Sequence, residues 1–305
     1  MEVICERLEV GAKDRLRSLN RGNLTSNISP PTSKLRGDGM KLKEIMNWIE
    51  EIAPLHLQES YDNSGLIIGD EDQVISKAVV CLDADEAVME YARENCAQLV
   101  ISHHPCFFRP LKTFSPKSPE GSILYSAVAN GIAVYSAHTN FDSARGGIGD
   151  MICHELGLDG VHVLVPGSDP DPGHGIGRWG SYRTPVSFGD FLGILGARLG
   201  IRSMREVGKR PGQVSRVAVL NGSYDKSFVD DLLSVKPDVL LTGDLKYHDA
   251  LALRYHGIYA IDAGHYRTEV IFVRGLSGML KKAFPNLDVL CWEGSDIFKV
   301  VSSID

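Results

Sequence analysis

From Met40 onward the chain alternates short apolar runs with stretches of helical apolar spacing, and this alternation restricts the fold more than any other feature. The spacing predicts strands at 65–69 (GLIIG), 77–82 (KAVVCL), 98–102 (QLVIS), 131–136 (GIAVYS), 215–220 (SRVAVL), 238–242 (DVLLT) and 257–262 (GIYAID). Helices are predicted near 84–96, 119–130, 147–156, 188–200, 225–234, 245–256 and 267–283. Strands that are apolar throughout must be covered on both faces, and the intervening helices supply the cover. A layered α/β fold with a largely buried, mixed or parallel sheet is expected.

Two segments stand apart. Residues 18–39 (SLNRGNLTSNISPPTSKLRGDG) are rich in Ser, Asn, Pro and Gly and lack hydrophobic period, so 1–39 reads as a flexible extension: a tag, a mistaken start or a targeting arm. The folded body is expected to begin at Met40, where Leu42, Ile45, Met46, Ile49 and Ile52 fall at helical spacing before Pro54. The stretch PGSDPDPGHGIGRWG at 166–180 is the strongest interruption, a lobe boundary or a long loop.

Composition removes several classes. With 305 residues, 43% of them hydrophobic, the chain can bury a substantial core. No run of about 18 apolar residues is present, so no membrane span is expected. The net charge of −7 repels phosphate backbones, which argues against nucleic acid as a partner. The six cysteines form no CxxC pair, and several sit in apolar runs as reduced core thiols would; a cytoplasmic location is expected.

The polar residues are informative by position. QLVIS runs into His103-His104-Pro105, and GIAVYS into His138 and then Asp142. DVLLT leads to Asp244, Lys246, Tyr247 and His248; GIYAID leads to His265 and, four residues on, Glu269. Four strands thus deliver imidazoles or carboxylates past their C-terminal ends, the edge where open α/β sheets bind ligands. Each residue alone has an ordinary reading. One histidine of the pair can be buried and the other exposed, Asp142 can cap the following helix, and His265 and Glu269 can be a surface pair on one helix face. Together His103, His104, Asp142, His265 and Glu269 form a ligand set for divalent Zn, Fe, Mn, Co or Ni. Five ligands exceed what one catalytic ion takes and suit two ions with a shared carboxylate. Asp244, Lys246, Tyr247 and His248 are expected to support the ligands or touch substrate, with His248 shuttling a proton and Lys246 steadying an anionic leaving group. His138 is read as a support for Asp142 or its loop. Asp62 and Asn63, in the turn 61–65, either face the same cleft or stabilise that turn.

The motifs YDNSGLIIG (61–69), SHHPCFF (102–108), AHTNFDSARGGIGD (137–150), GIGRWG (175–180), TGDLKYHDAL (242–251) and DAGHYRTE (262–269) resemble, in this order, the NGG-one-interacting-factor-three-like family, often named a second type of GTP cyclohydrolase one. The resemblance covers Met40 to Asp305. It implies a dinuclear metal centre on His103, His104, Asp142, His265 and Glu269, with Glu269 bridging; His248 and Glu269 are the expected catalytic residues. It also implies a two-lobed α/β/α fold, divided here as 40–165 and 166–305, with the metal site at strand C-terminal ends between the lobes. A ring-shaped homohexamer is implied as well. The chain departs from the family where 181–214 is too short for an inserted domain, and where VAVLNGSYD (217–225) is too short for a phosphate cradle at Asn221, Gly222 and Ser223. No cofactor beyond two divalent ions per chain is expected. The expected function is a metal-dependent hydrolase of a nucleotide, phosphoester or cyclic amide, with a small-molecule substrate. The alternatives are metal storage, sensing or insertion, and an adaptor whose metals are structural.

Overall fold

The computed structural model describes residues 39–301. Apart from Gly39, the N-terminal extension lies outside the described residues. Strand β1 (Met40–Lys41) pairs with β3 below and leads into helix α1 (Leu42–Ile52). Leu42, Ile45 and Ile49 of α1 are buried, and Glu44 accepts from the Lys41 amide at 3.0 Å to close its first turn. Next come β2 (Gly65–Ile68), β3 (Val74–Ile75), β4 (Lys77–Cys81), α2 (Glu86–Glu94), β5 (Leu99–Ser102), α3 (Pro119–Asn130), β6 (Ala133–Ser136), α4 (Thr139–Ser143) and α5 (Ile148–Leu156). The chain continues through β7 (Asp159–Pro166), β8 (Gly175–Ser187), α6 (Phe188–Leu199), β9 (Arg205–Val207), β10 (Gln213–Leu220), α7 (Val229–Val235) and β11 (Val239–Thr242). It ends with α8 (Tyr247–Tyr255), β12 (Ala260–Asp262), α9 (His265–Glu269), α10 (Ile271–Ala283) and β13 (Asp288–Trp292). All seven expected strands and helical regions are present.

Apart from the β1–β3 pair, the strands form two mixed sheets, in the orders β13-β4-β5-β6-β2 and β7-β8-β10-β11-β12-β9. In the first, β13, β4, β5 and β6 are parallel and β2 is antiparallel. In the second, β10, β11 and β12 are parallel and the outer strands antiparallel. Alternate residues divide between two sides. Ala78, Val80, Leu99 and Ile101 of the first sheet share one core with Val217, Val219, Val239 and Leu241 of the second, filled by α1, α5, α6 and α10. Val79, Val100 and Val134 face outward under α2 and α3; Ala218, Leu240 and Ala260 face outward under α7 and α8. Both sheets are therefore covered on both faces, which is why their strands read as unbroken apolar runs. Cys81 and Cys153 are buried free thiols within this packing. No described helix is long and apolar enough to cross a membrane.

The interruption at 166–180 is neither a boundary nor wholly a loop. Residues 167–174 connect β7 to β8, which pair antiparallel, and GIGRWG is already strand. Sheet membership also differs from the division at 166: β7 belongs to the second sheet, and β13 returns to the first. Glycines and Pro185 hide β8 in the sequence. Pro185 is tolerated because β7 pairs only as far as Ser181, which leaves the rest of β8 with a neighbour on one side.

Arg178 holds this hairpin in place. It is 2% exposed, pairs with Asp150 at 2.9 Å, and donates to the carbonyls of Gly175, Gly177, Ala144 and Gly173. Gly149 lies so close that a β-carbon there would sit 2.9 Å from Arg178 Cγ. One side chain thus ties GIGRWG to both ends of SARGGIGD. Arg178→Met would remove the cation from Asp150, leaving it the Gly146 amide, and would take this donor from four carbonyls, at an expected cost of about 3–5 kcal/mol. Urea unfolding measures this, and a loss below about 1 kcal/mol would overturn the assignment.

Candidate metal centre

The C-terminal ends of the parallel strands carry the candidate ligands. After β5 the backbone stays in the ladder for two more residues, with the His103 and His104 amides donating to Cys81 and Leu82. Ser136 Oγ then donates to the His103 carbonyl, and Ser102 Oγ to the His104 carbonyl at 2.7 Å. This turn lets neighbouring imidazoles serve one site. The carbonyl of His138 accepts from the amides of Phe141 and Asp142, building the short helix α4 that presents Asp142. From the second sheet, β12 passes through Gly264 into α9, which places His265 and Glu269 on one face.

The tautomers follow from the partners. His103 Nδ1 lies 2.9 Å from the Ala137 carbonyl, which can only accept, so Nδ1 carries a hydrogen and, in the neutral ring, Nε2 is left with a lone pair. That Nε2 is buried without a hydrogen-bond partner, 3.7 Å from both Asp142 Oδ2 and Glu269 Oε1. His104 Nδ1 donates to Asp83 at 2.8 Å and His265 Nδ1 to Asp244 at 2.9 Å. Their Nε2 atoms therefore turn toward each other, 3.1 Å apart, and toward Glu269 Oε2 at 2.9 and 2.8 Å. Lone pairs converging in this way repel unless a proton or a metal ion lies among them. Carboxylates behind metal-binding histidines are the usual means of fixing such rings.

Two ligand triads result, His104–His265–Glu269 and His103–Asp142–Glu269, each with its donor atoms within 4.8 Å of one another. Glu269 belongs to both, one oxygen to each. The electrostatics favour a cation. Burial alone would lower His104, but Asp83 and Glu269 outweigh it and hold the ring up to about 10. His265 is likewise held up to about 9, against burial, by Glu269. Burial raises Asp142, with the Glu269 charge adding to it; Glu269 itself is kept well below the usual carboxylate range by the surrounding imidazoles despite its burial. The buried His, Glu and Asp groups could hold metal, and the orphaned His103 Nε2 is the feature that most invites one.

All five predicted ligands are brought together. Asp244 supports His265 from a backbone φ of +42°, a strained position of the kind found at functional sites. Lys246, Tyr247 and His248 are exposed where α8 begins; the His248 ring meets only Tyr247, and nothing among the described residues joins it to the cluster. Asp62 has the turn-stabilising role, accepting from the Asn63 amide and Ser64 Oγ, and it also holds His138 Nδ1 at 2.8 Å. Asn63 donates to the Phe107 carbonyl. The His138 ring itself closes a third group with His103 and His104. Asp83, Asn221 and Gly222 were not expected here. Asn221 Nδ2 donates to Asp142 at 2.9 Å and reaches Glu269 at 3.5 Å, and the Gly222 amide donates to Thr268 Oγ1. Asp83 and Asn221 directly follow KAVVCL and SRVAVL, so applying the strand-end rule to every strand would have found both.

Known proteins resemble this chain along most of its length. It is 34% identical over 230 residues to a Clostridium perfringens protein named GTP cyclohydrolase 1 type 2 homolog, covering 75% of this chain and 87% of that one. A Methanocaldococcus jannaschii protein of the same name is 30% identical over 255 residues, 82% of this chain and 97% of that one. Among solved structures, Staphylococcus aureus SA1388 superposes with a TM-score of 0.80 at 26% identity, covering 87% of this chain and all of that one. Reduced HcgD from Methanocaldococcus jannaschii gives 0.72 at 30% identity, covering 84% and 98%. The family described as Duf34/NIF3 (NGG1p interacting factor 3) matches residues 40–296, and this chain belongs to it.

Proposed function

We propose that this chain holds two divalent ions on either side of Glu269 and hydrolyses a small-molecule substrate with them. The observation that carries the reading is the buried, unpartnered His103 Nε2 facing two carboxylates. His103, Asp142 and Glu269 Oε1 would hold one ion; His104, His265 and Glu269 Oε2 would hold the other. A set of imidazole and carboxylate without thiolate suits Zn, Fe, Mn, Co or Ni. When bound, such a pair supplies Lewis acidity and a nucleophilic water at neutral pH. The chain's own groups do the positioning. Asp83, Asp244 and the Ala137 carbonyl fix the three rings, and Asn221 orients both ligand carboxylates. With Nδ1 held by Asp62, His138 has a free Nε2 to accept or return a proton, the part expected of His248. The name carried by the curated relatives makes GTP the first substrate to try, ahead of other nucleotides and phosphoesters.

A second reading, storage or delivery of metal, is favoured by uneven exposure. The His265 and Asp244 side chains are 34% and 51% exposed, whereas those of His103 and Glu269 are 0% and 4%. An ion on the exposed side would exchange readily.

Plasma mass spectrometry of protein purified without a metal-affinity column is expected to find about two equivalents of transition metal per chain, with at least half lost in His104→Ala. Less than about 0.2 equivalents after reconstitution with Zn²⁺, Mn²⁺ and Fe²⁺ would sink the metal reading. Chelator-sensitive turnover supports hydrolysis; fast metal exchange with no turnover on the substrate panel supports storage.

A glycine pair tests the shared carboxylate. A β-carbon on Gly222, at φ +67°, would lie 2.1 Å from Glu269 Oε1, whereas Gly131, at φ +65°, has nothing within 4 Å. Gly131→Ala should cost about 1–2 kcal/mol of backbone strain and leave metal binding intact. Gly222→Ala should in addition weaken metal affinity about tenfold or more. Equal affinities in titrations of the two variants would argue against Glu269 as the bridge.

A further inference from the structure

Directly after His104 the chain borders an open surface cavity of about 650 Å³, lined by residues 105–113 with Ser118 and Glu120. This is the size of a small-ligand pocket. The cavity adjoins the candidate metal centre at two points. Pro105 on its wall is bonded to His104, and the Phe108 ring on its wall packs edge-on against His138 with centroids 5.6 Å apart. The Asn63 amide on the Phe107 carbonyl, at 2.9 Å, ties the loop to the turn whose Asp62 holds His138.

The wall has two kinds of chemistry. Phe108 is 47% and Leu111 38% exposed, leaving an aromatic face and an aliphatic neighbour open to a ligand. Beside them Arg109 and Lys112 are exposed and make no ion pair or hydrogen bond among the described residues. Ser118, the N-cap of α3, adds the positive end of that helix to the same wall, and Glu120 is its single carboxylate. Two unpaired cations and a helix end suit a dianion better than a single negative charge. The exposed ring suits a planar apolar partner.

We infer that this cavity binds the non-reacting end of the ligand, an aryl or heteroaryl phosphate, with the ring on Phe108 and the phosphate on Arg109 and Lys112. The inference rests on the metal reading only for the fate of the ligand, since Phe108, Arg109 and Lys112 are not among the proposed metal ligands.

The probe is 4-methylumbelliferyl phosphate, followed by equilibrium dialysis on the full chain against 4-methylumbelliferone and inorganic phosphate, with metal content measured on the same samples. The ester is expected to bind about tenfold or more tightly than either fragment. Arg109→Ala/Lys112→Ala should weaken the ester about tenfold or more and leave the neutral coumarin unchanged, while Phe108→Ala weakens both. All of these substitutions lie on exposed side chains and should leave metal content and circular dichroism unchanged. Arg109→Lys/Lys112→Arg, which keeps both charges, should retain most of the ester binding. No binding of the ester, or ester binding unaffected by loss of both cations, would overturn the inference. Cation-dependent binding to a chain that takes up no metal on reconstitution would keep the cavity assignment and sink the metal reading instead.

Discussion

A carboxylate 3% exposed, at the meeting of two sheets, is the constraint around which the rest is arranged. Removing such a charge from water costs several kcal/mol unless partners compensate it. Glu269 finds them on both sides: His103 and His104 from the first sheet, His265 and Asn221 from the second. No single strand could provide that environment. It requires the C-terminal ends of two parallel arrays to face one another, which in turn requires each sheet to be covered on its outer face by its own helices. The layering and the cluster are therefore two aspects of one arrangement.

The support behind the candidate ligands consists of side chains bonded to backbone groups. Arg178 fastens the Ala144 carbonyl at the end of α4, two residues past Asp142, and Asp150 in the first turn of α5. Thr268 receives the Gly222 amide while its hydroxyl bonds back to the Gly264 and His265 carbonyls, so the β10 and β12 ends are locked together. Asp262 performs a similar task, accepting from the Leu245 and Gly264 amides on adjoining strand ends. Sites held within fractions of an ångström need this kind of scaffolding.

Much of this was legible in the sequence because apolar runs and strand-end polar residues obey simple geometry. His103, His104, Asp142, His265 and Glu269 were each readable as the residue that comes just past a strand or in the first turn of a helix. His248 was over-read: Asp244 still faces the cluster, but by Tyr247 the chain has turned into α8 and the side chains point to solvent. Arg178 has no role legible in GIGRWG, since a charged residue between glycines reads as loop. What makes it a buried strand residue is the pairing of β8 with β7 and β10, a tertiary property absent from local pattern. Gly222 was likewise invisible, because its importance is the space it leaves for a side chain 47 positions away.

The return of β13 to β4 has its own consequence. The first sheet takes four of its strands from the segment 65–136 and its last from the C-terminal region, so the second sheet is threaded through the first like an insertion. A growing chain emerging from the ribosome would leave the β4 edge uncovered until residues 288–292 appear, after the whole second sheet has been made. An exposed parallel edge invites pairing with the wrong neighbour. Completion of the first sheet is thus among the last events of synthesis rather than the first.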